Sequence, residues 1–499
     1  MTQTYRNYIG GKWVEAASGA VFEDRNPADR HDLLGFFPRS DARDVAAAVE
    51  AARARFDFWR KVPAPVRGEI LFRAAEIMVK RKEELARLMV REMGKVIKEA
   101  RGDVQEAIDM TYYMAGEGRR QFGQQVPAEL PDKFAMAIRQ PVGVVAAITP
   151  WNFPLAIPAW KLMPALVTGN VVVFKPAEDT PLMAVKLVEI LLEAGLPEGV
   201  VNLVHGYGEE AGAPLVEHPG VDLVSFTGST EVGRQVAMAC ARTGKRCALE
   251  MGGKNPIIVM DDADLDLALD GAVWSAFGTS GQRCTAASRL IVHEGIAQVF
   301  TERLAERAAR LRLGPGIEET TDVGPVINEA QLHRVHGYTE IGRREGAQLV
   351  VGGEIATEGA LAAGYFYKPT VFANVTPRMR IAQEEIFGPT TAVMPVRSLA
   401  EALEVANGVQ YGLSAAIYTR DINKAFRAIA ELRTGLVYVN AGTIGAEIQL
   451  PFGGTKATGN GHREAGTAAL DTFTEWKTVY IDYSGRLQRA QIDQPRLEE

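Results

Sequence analysis

The sequence predicts an α/β protein organised in two successive alternating blocks, and three features of its patterning predict it. Short β-branched runs at residues 143–148, 171–174, 200–204 and 221–226 alternate with helical segments such as 183–193. A second block from about 253 to 450 repeats the texture, with apolar runs at 256–260, 290–293, 349–351, 391–395 and 436–440. Ahead of both, residues 43–123 place Val45, Val49, Leu71, Ile77, Leu85 and Val90 at helical spacing among Arg, Lys and Glu. Strands alternating with helices build βαβ units and a mainly parallel sheet, which takes ligands at the carboxyl ends of its strands.

In chain order, the opening third is a helical layer. The polar segment 124–137 precedes the first sheet and is suited to a hairpin or an interface. The helix at 183–193 stops at Gly195, with Pro197 behind it. No Pro/Ser-rich linker separates the two blocks, so the domains are expected to pack tightly. The predicted division is 1–123 with 142–252 as one domain and 253–450 as the second. Segments 124–141 and 451–499 bridge them or serve oligomerisation.

The 499 residues exceed one ordinary core, and a hydrophobic fraction of 47% with 23% charged residues is that of a globular chain. A net charge of −7 leaves no basic footprint for nucleic acid or anionic lipid. The N-terminal MTQTYRNYIGGKW lacks an apolar signal region and no long apolar stretch follows, so no membrane partner and a cytoplasmic location are expected. The three cysteines, Cys240, Cys247 and Cys284, form no disulfide framework. Of the seven histidines only His333 and His336 lie close together, on a polar helical stretch without further ligands, so no metal is expected.

Four motifs carry chemistry. Cys284 stands in Gly281-Gln282-Arg283-Cys284-Thr285-Ala286-Ala287-Ser288-Arg289, where Arg283 favours thiolate and glycines permit close approach. Read alone, this thiol is equally a nucleophile or an inert cysteine, whereas Cys240 and Cys247 read as packing residues. In Leu249-Glu250-Met251-Gly252-Gly253-Lys254, a carboxylate closes a strand before a Gly turn, a setting in which burial raises its pKa towards that of a general base. Thr149-Pro150-Trp151-Asn152-Phe153-Pro154 follows the run 143–148, and a side-chain amide held there suits a developing oxyanion. Phe174-Lys175-Pro176-Ala177-Glu178 and Phe226-Thr227-Gly228-Ser229-Thr230-Glu231-Val232-Gly233 end two further strands where a parallel sheet binds nucleotide, although the second departs from G-x-G-x-x-G.

Together, in this order, these motifs resemble the aldehyde dehydrogenase superfamily from about Tyr8 to Ile481. Glu384-Glu385-Ile386-Phe387-Gly388-Pro389, Pro451-Phe452-Gly453-Gly454-Thr455-Lys456 and Thr474-Glu475-Trp476-Lys477 extend the match. The resemblance implies the aldehyde dehydrogenase fold: a Rossmann-like NAD-binding domain, an α/β catalytic domain and a small β oligomerisation arm, assembled as a homodimer or homotetramer. It implies Cys284 as nucleophile, Asn152 with the Cys284 backbone N–H as oxyanion hole, and Glu250 as the base that activates water to hydrolyse a thioester. Lys161 and Glu475 match a proton-relay pair. Lys175 and Glu178 match the adenosine-ribose site, Trp151 and Ser229 the pyrophosphate site, and Glu385 with Phe387 the nicotinamide-ribose site. Thr149, Gly228 and Gly252 belong to the same cofactor set. A carboxylate at Glu178 repels a 2′-phosphate, which favours NAD over NADP and leaves NADP open.

Within the superfamily, residues 153–161, 281–285 and 440–452 are most similar to the branch of 2-oxoglutarate semialdehyde (2,5-dioxopentanoate) dehydrogenases. That implies a small-molecule aldehyde substrate whose distal carboxylate is held by Arg283 or Gln449, with Phe153 and Trp160 as channel walls. Equally, Arg283 pairs with structural carboxylates. Aminoadipate semialdehyde and lactaldehyde remain alternative substrates, and a non-catalytic binding role is argued against by the intact Cys284, Glu250 and Asn152. A CoA-acylating activity is disfavoured by the deacylating base that Glu250 supplies.

Overall fold

A computed structural model describes residues 3–493. The runs predicted at 143–226 form the centre of a seven-stranded sheet whose order is Arg246–Glu250, Leu223–Thr227, Val144–Ile148, Val171–Lys175, Val201–Leu203, Asn7–Ile9, Lys12–Val14. The first five are parallel, with Phe226 opposite Ile148 and Ile148 opposite Lys175. The last two form an antiparallel hairpin on the edge. Chain order reverses between Val144–Ile148 and Leu223–Thr227, and a crevice opens beyond the carboxyl ends of strands at such a switch point.

The helical third resolves into Ala42–Trp59, Ala64–Lys80, Lys82–Met93 and Ile97–Glu117. The first starts on Asp41, whose carboxylate accepts from the Arg43 N–H while Asp44 reaches back to the Asp41 N–H. Val45, Val49, Leu71 and Leu85 face one core with Val145, Val172 and Phe174. No element is predicted for residues 3–38, yet two short antiparallel pairs form there, because strands of three to six residues are too short to show a period.

The second block forms another seven-stranded sheet: Gln348–Val351, Thr370–Ala373, Thr390–Val396, Ala287–His293, Asn255–Val259, Ser414–Tyr418, Leu436–Val439. All neighbours are parallel except the first pair. Alternate residues serve its two faces: Ile257, Val259, Leu290 and Val292 pack into one core, and Ile258, Ile291 and Met394 into the other. Residues 251–254 alone join the end of strand Arg246–Glu250 to the start of Asn255–Val259. The carboxyl edge of the first sheet therefore meets the amino edge of the second.

A third sheet of Thr474–Asp482, Lys133–Pro141 and Gln124–Pro127 is antiparallel and projects Phe134, Trp476 and Tyr480 into solvent. Residues 451–473 do not stay with this arm as the sequence division places them. Ala465, Ala469, Leu470 and Phe473 return to the first core, because the segment is itself apolar and needs burial. No helix of the described residues is long and apolar enough to cross a membrane.

Candidate active site

At the junction of the two sheets lies a cavity of about 800 Å³ that Asn152, Gly228, Ser229, Cys284, Glu385 and Phe387 help to line. A second cavity of about 420 Å³ runs under Lys175, Glu178 and Val236. The two share Pro150, Trp151, Thr227, Gly228, Ser229 and Gln235, forming one elongated cleft across the switch point.

Cys284 is a free thiol, partly exposed at the cavity wall. Its loop is fixed from both sides. The Cys284 carbonyl accepts from Asn255 Nδ2 at 2.7 Å, and a Cβ on Gly253 would stand 2.2 Å from that carbonyl, so only glycine allows the approach. Before it, Thr279 and Ser280 sit in the left-handed region at φ 52° and 55°. They are held there by the Glu99 carboxylate accepting from the Thr279 N–H at 2.8 Å and by Ser280 Oγ donating to the Gly324 carbonyl at 2.8 Å. Burial, reinforced by the carboxyls of Glu385 and Glu250, pushes the Cys284 pKa up to about 12. The expected thiolate-promoting effect of Arg283 is real in sign and outweighed, so the resting sulfur is a neutral thiol.

Asn152 is buried, and its Nδ2 donates to the Gln282 carbonyl at 3.0 Å, beside the loop of Cys284. One amide N–H remains for a ligand atom near the thiol. Glu250 is buried with neither carboxylate oxygen hydrogen-bonded. Burial first, then the neighbouring Glu464, raises its pKa well above the carboxylate range, against Lys161 and Arg463. A Cβ on Gly453 would meet Glu250 Oε1 at 2.7 Å. The carboxylate thus lies against the Gly453 loop and must reach into the cavity to act there.

Lys161 is fully buried and ion-paired with Glu464, while its Nζ also donates to Ser225 Oγ at 3.2 Å. Glu475, matched to Lys161 by the sequence, is on the exposed strand Thr474–Asp482 and faces Arg246 at 3.6 Å. The carboxylate that Lys161 meets is therefore Glu464, eleven residues earlier, because the chain folds back over the Glu250 strand: Glu250 and Gly459 form a β-bridge. The only sequence signal was a carboxylate in the Gly-rich run after the Pro451–Lys456 motif.

The cofactor set lines the cleft. Lys175 Nζ donates to Glu178 Oε2 at 3.2 Å at the floor of the smaller cavity. Thr149 is buried beside them, its N–H donating to the Lys175 carbonyl at 3.2 Å. Ser229 caps the helix Thr230–Thr243, its Oγ accepting from the Val232 N–H at 3.2 Å, and presents that helix N-terminus to the cleft. Such a terminus suits a pyrophosphate. A Cβ on Gly252 would overlap Glu385 Oε2 at 2.1 Å, and Glu385 Oε1 accepts from the Gly253 N–H at 2.8 Å. Burial moves the Glu385 pKa up to about 7. Phe387, at φ 61°, meets Trp151 edge-on at 5.4 Å.

The substrate residues divide. Lys95 Nζ lies 3.9 Å and the Arg283 guanidinium 5.1 Å from the centre of the Phe153 ring. Trp160 is buried edge-on against Phe452 at 5.0 Å, its indole N–H without a partner. Arg283 donates through Nε to Thr279 Oγ1 at 2.8 Å and faces Glu99 at 3.7 Å, the structural-carboxylate alternative. Gln449 is exposed and donates to Glu447. Lys95, Glu99 and Asp103 were missed, because a lone Lys after a helix and two carboxylates on the next helix carry no pattern. Among the described residues no cluster of His, Cys, Asp and Glu could hold a metal, and His333 and His336 lie on helix Glu329–Arg344.

Residues 13–479 match the model of the Aldehyde dehydrogenase family. The chain is 46% identical over 478 residues to alpha-ketoglutaric semialdehyde dehydrogenase of Bacillus subtilis (strain 168), covering 96% of this chain and 98% of that protein. It is 42% identical to 2,5-dioxopentanoate dehydrogenase of Saccharolobus solfataricus, covering 95% and 98%. The structure of betaine aldehyde dehydrogenase from Staphylococcus aureus in complex with NAD+ superimposes with a TM-score of 0.95 at 36% identity, covering 97% and 96%.

Proposed function

Because the chain belongs to the aldehyde dehydrogenase family, whose members oxidise aldehydes with NAD(P), we propose that its substrate is 2-oxoglutarate semialdehyde, converted to 2-oxoglutarate. The observation that carries this is agreement in name among relatives 42–46% identical over nearly the whole chain. The substrate carries a carboxylate beyond its aldehyde, and Arg283, although it faces Glu99 at 3.7 Å, hydrogen-bonds through Nε and keeps further guanidinium N–H groups for a second carboxylate. Those donors suit the distal carboxylate.

The cleft fits NAD: Lys175 and Glu178 would hold the adenosine ribose, Trp151 and Ser229 the pyrophosphate, and Glu385 with Phe387 the nicotinamide ribose. Glu178 beside the ribose favours NAD over NADP. Cys284 Sγ attacks the aldehyde carbon, the carbonyl electron pair moving to oxygen while the thiol proton passes to Glu250 in its carboxylate form and on to the Lys161–Glu464 pair. Asn152 Nδ2 and the Cys284 N–H hold the resulting oxyanion. NAD bound in the cleft would supply the acceptor for the hydride lost from the Cys284 adduct. Glu250 then takes a proton from water, which hydrolyses the thioester, and the Lys161–Glu464 pair behind it passes the proton on.

The reading includes a homodimer or homotetramer in a reducing cytoplasm. In support, all three cysteines are free, and helix Ile422–Glu431 exposes Ile422, Phe426 and Ile429 along one face. The test is an assay of NADH and NADPH formation across semialdehydes and simple aldehydes. The expected result is highest kcat/KM with 2-oxoglutarate semialdehyde and NAD. Arg283→Met should raise KM for that substrate about tenfold while leaving propanal unaffected, in line with the strength of one charge-assisted bond. Equal losses for both aldehydes would remove Arg283 from specificity.

A further inference from the structure

The segment from Asn152 to Ala156, between strand Val144–Ile148 and helix Ala156–Val167, is gripped at both ends by one ion pair. Lys95 Nζ donates to the Asn152 carbonyl at 2.8 Å and to Asp103 Oδ2 at 2.7 Å. Asp103 Oδ1 accepts from the Ala156 N–H at 2.8 Å. Both charged side chains are wholly buried. Removing two charges from water is costly, and apolar residues would fill the space with less penalty, so stability alone does not account for the pair.

Lys95 is held in turn by the other domain. Gly94, at φ +87°, delivers it from the end of helix Lys82–Met93, and a Cβ on Gly316 would stand 2.3 Å from the Lys95 carbonyl. The Ile97 N–H donates to the Gly316 carbonyl at 2.8 Å. A few residues on, Gly324 presses against Gly94 and accepts from Ser280 Oγ, in the loop that delivers Cys284. The oxyanion donors Asn152 and the Cys284 N–H lie on different domains, and Lys95 touches the supports of both.

We propose that the Lys95–Asp103 ion pair is the positioning element of the oxyanion hole, setting the Asn152 amide against the Cys284 loop. It acts through Asn152 and rests on the oxyanion role given above to that residue. Because small displacements of reacting groups cost up to about 100-fold in rate, its loss should appear in the chemical step and not in cofactor binding.

The test is pre-steady-state NADH formation by the full-length enzyme at saturating NAD and aldehyde, read as rate constant and burst amplitude separately. Lys95→Met should lower the rate constant about 10- to 100-fold at unchanged amplitude per folded enzyme. The Lys95→Met/Asp103→Asn variant, which removes both charges of the pair and is expected to fold, should do the same. Added to Asn152→Ala, Lys95→Met should slow the reaction no further. A lowered amplitude with an unchanged rate constant would overturn the proposal in favour of a structural role, as would effects that multiply in the combined variant. An Asn152→Ala enzyme as fast as the parent would overturn the oxyanion reading itself, and this proposal with it.

Discussion

Cys284 and Glu250 hold their protons to higher pH than the same groups would in water. Burial raises Cys284 to about 12 and lifts Glu250 well above the carboxylate range. A raised acid gains its basic form only as pH climbs, so deacylation should accelerate with pH through the raised Glu250 pKa. Glu250→Gln should lose that rise and stall at the thioester, slowing turnover on the order of 100-fold, the scale of a general base. Mass spectrometry should find the acyl adduct on Cys284, and Cys284→Ala should show no adduct and still bind NADH. A Glu250→Gln enzyme with the parental pH profile would exclude this base. Glu250 and Asn152 stood out because each follows or closes an apolar strand before a turn, whereas Cys284 stood out only through the order of motifs around it. Glu464 did not, since its role comes from a chain reversal that brings Gly459 to Glu250.

At the scale of elements, the start of helix Pro181–Glu193 rests on a buried carboxyl from the preceding helical layer. Glu92 accepts from the N–H groups of Leu182 and Met183. Burial raises its pKa, and that of the buried Asp24 is raised by burial and by Glu92. For an acid whose folded pKa exceeds its unfolded one, stability is fully present below the unfolded value and is lost as pH rises through the folded value. Thermal unfolding should therefore show the midpoint falling from acidic pH towards neutral and beyond. Glu92→Gln, neutral at every pH, should flatten that fall, with about 1–3 kcal/mol at stake for a buried polar group. Parallel curves for the two proteins would contradict the assignment. The helices here were readable from their apolar spacing. The short N-terminal strands were not, because their pairing partners are remote.

For the molecule as a whole, the arm of Gln124–Pro127, Lys133–Pro141 and Thr474–Asp482 stands out from both cores with aromatic residues exposed. Helix Ile422–Glu431 adds a second apolar face. Covering such surfaces favours association. Sedimentation equilibrium should find a dimer or tetramer, and Phe426→Glu together with Tyr480→Glu should shift it towards smaller species. Monomer alone in the parent protein would remove the oligomer from the proposal.

The sequence by itself determined the alternation of strands and helices, and with it two mainly parallel sheets and the strand ends at or beyond which Glu250, Asn152, Lys175 and Ser229 stand. These follow from local periodicity and from residues a few positions apart. Only the tertiary structure decided that Glu464 and not Glu475 meets Lys161, that Arg283 leans towards Glu99, and that Lys95 and Asp103 grip the Asn152 segment. Those choices depend on which distant segments share one buried, low-dielectric space, where a charge takes whichever partner the packing leaves within reach.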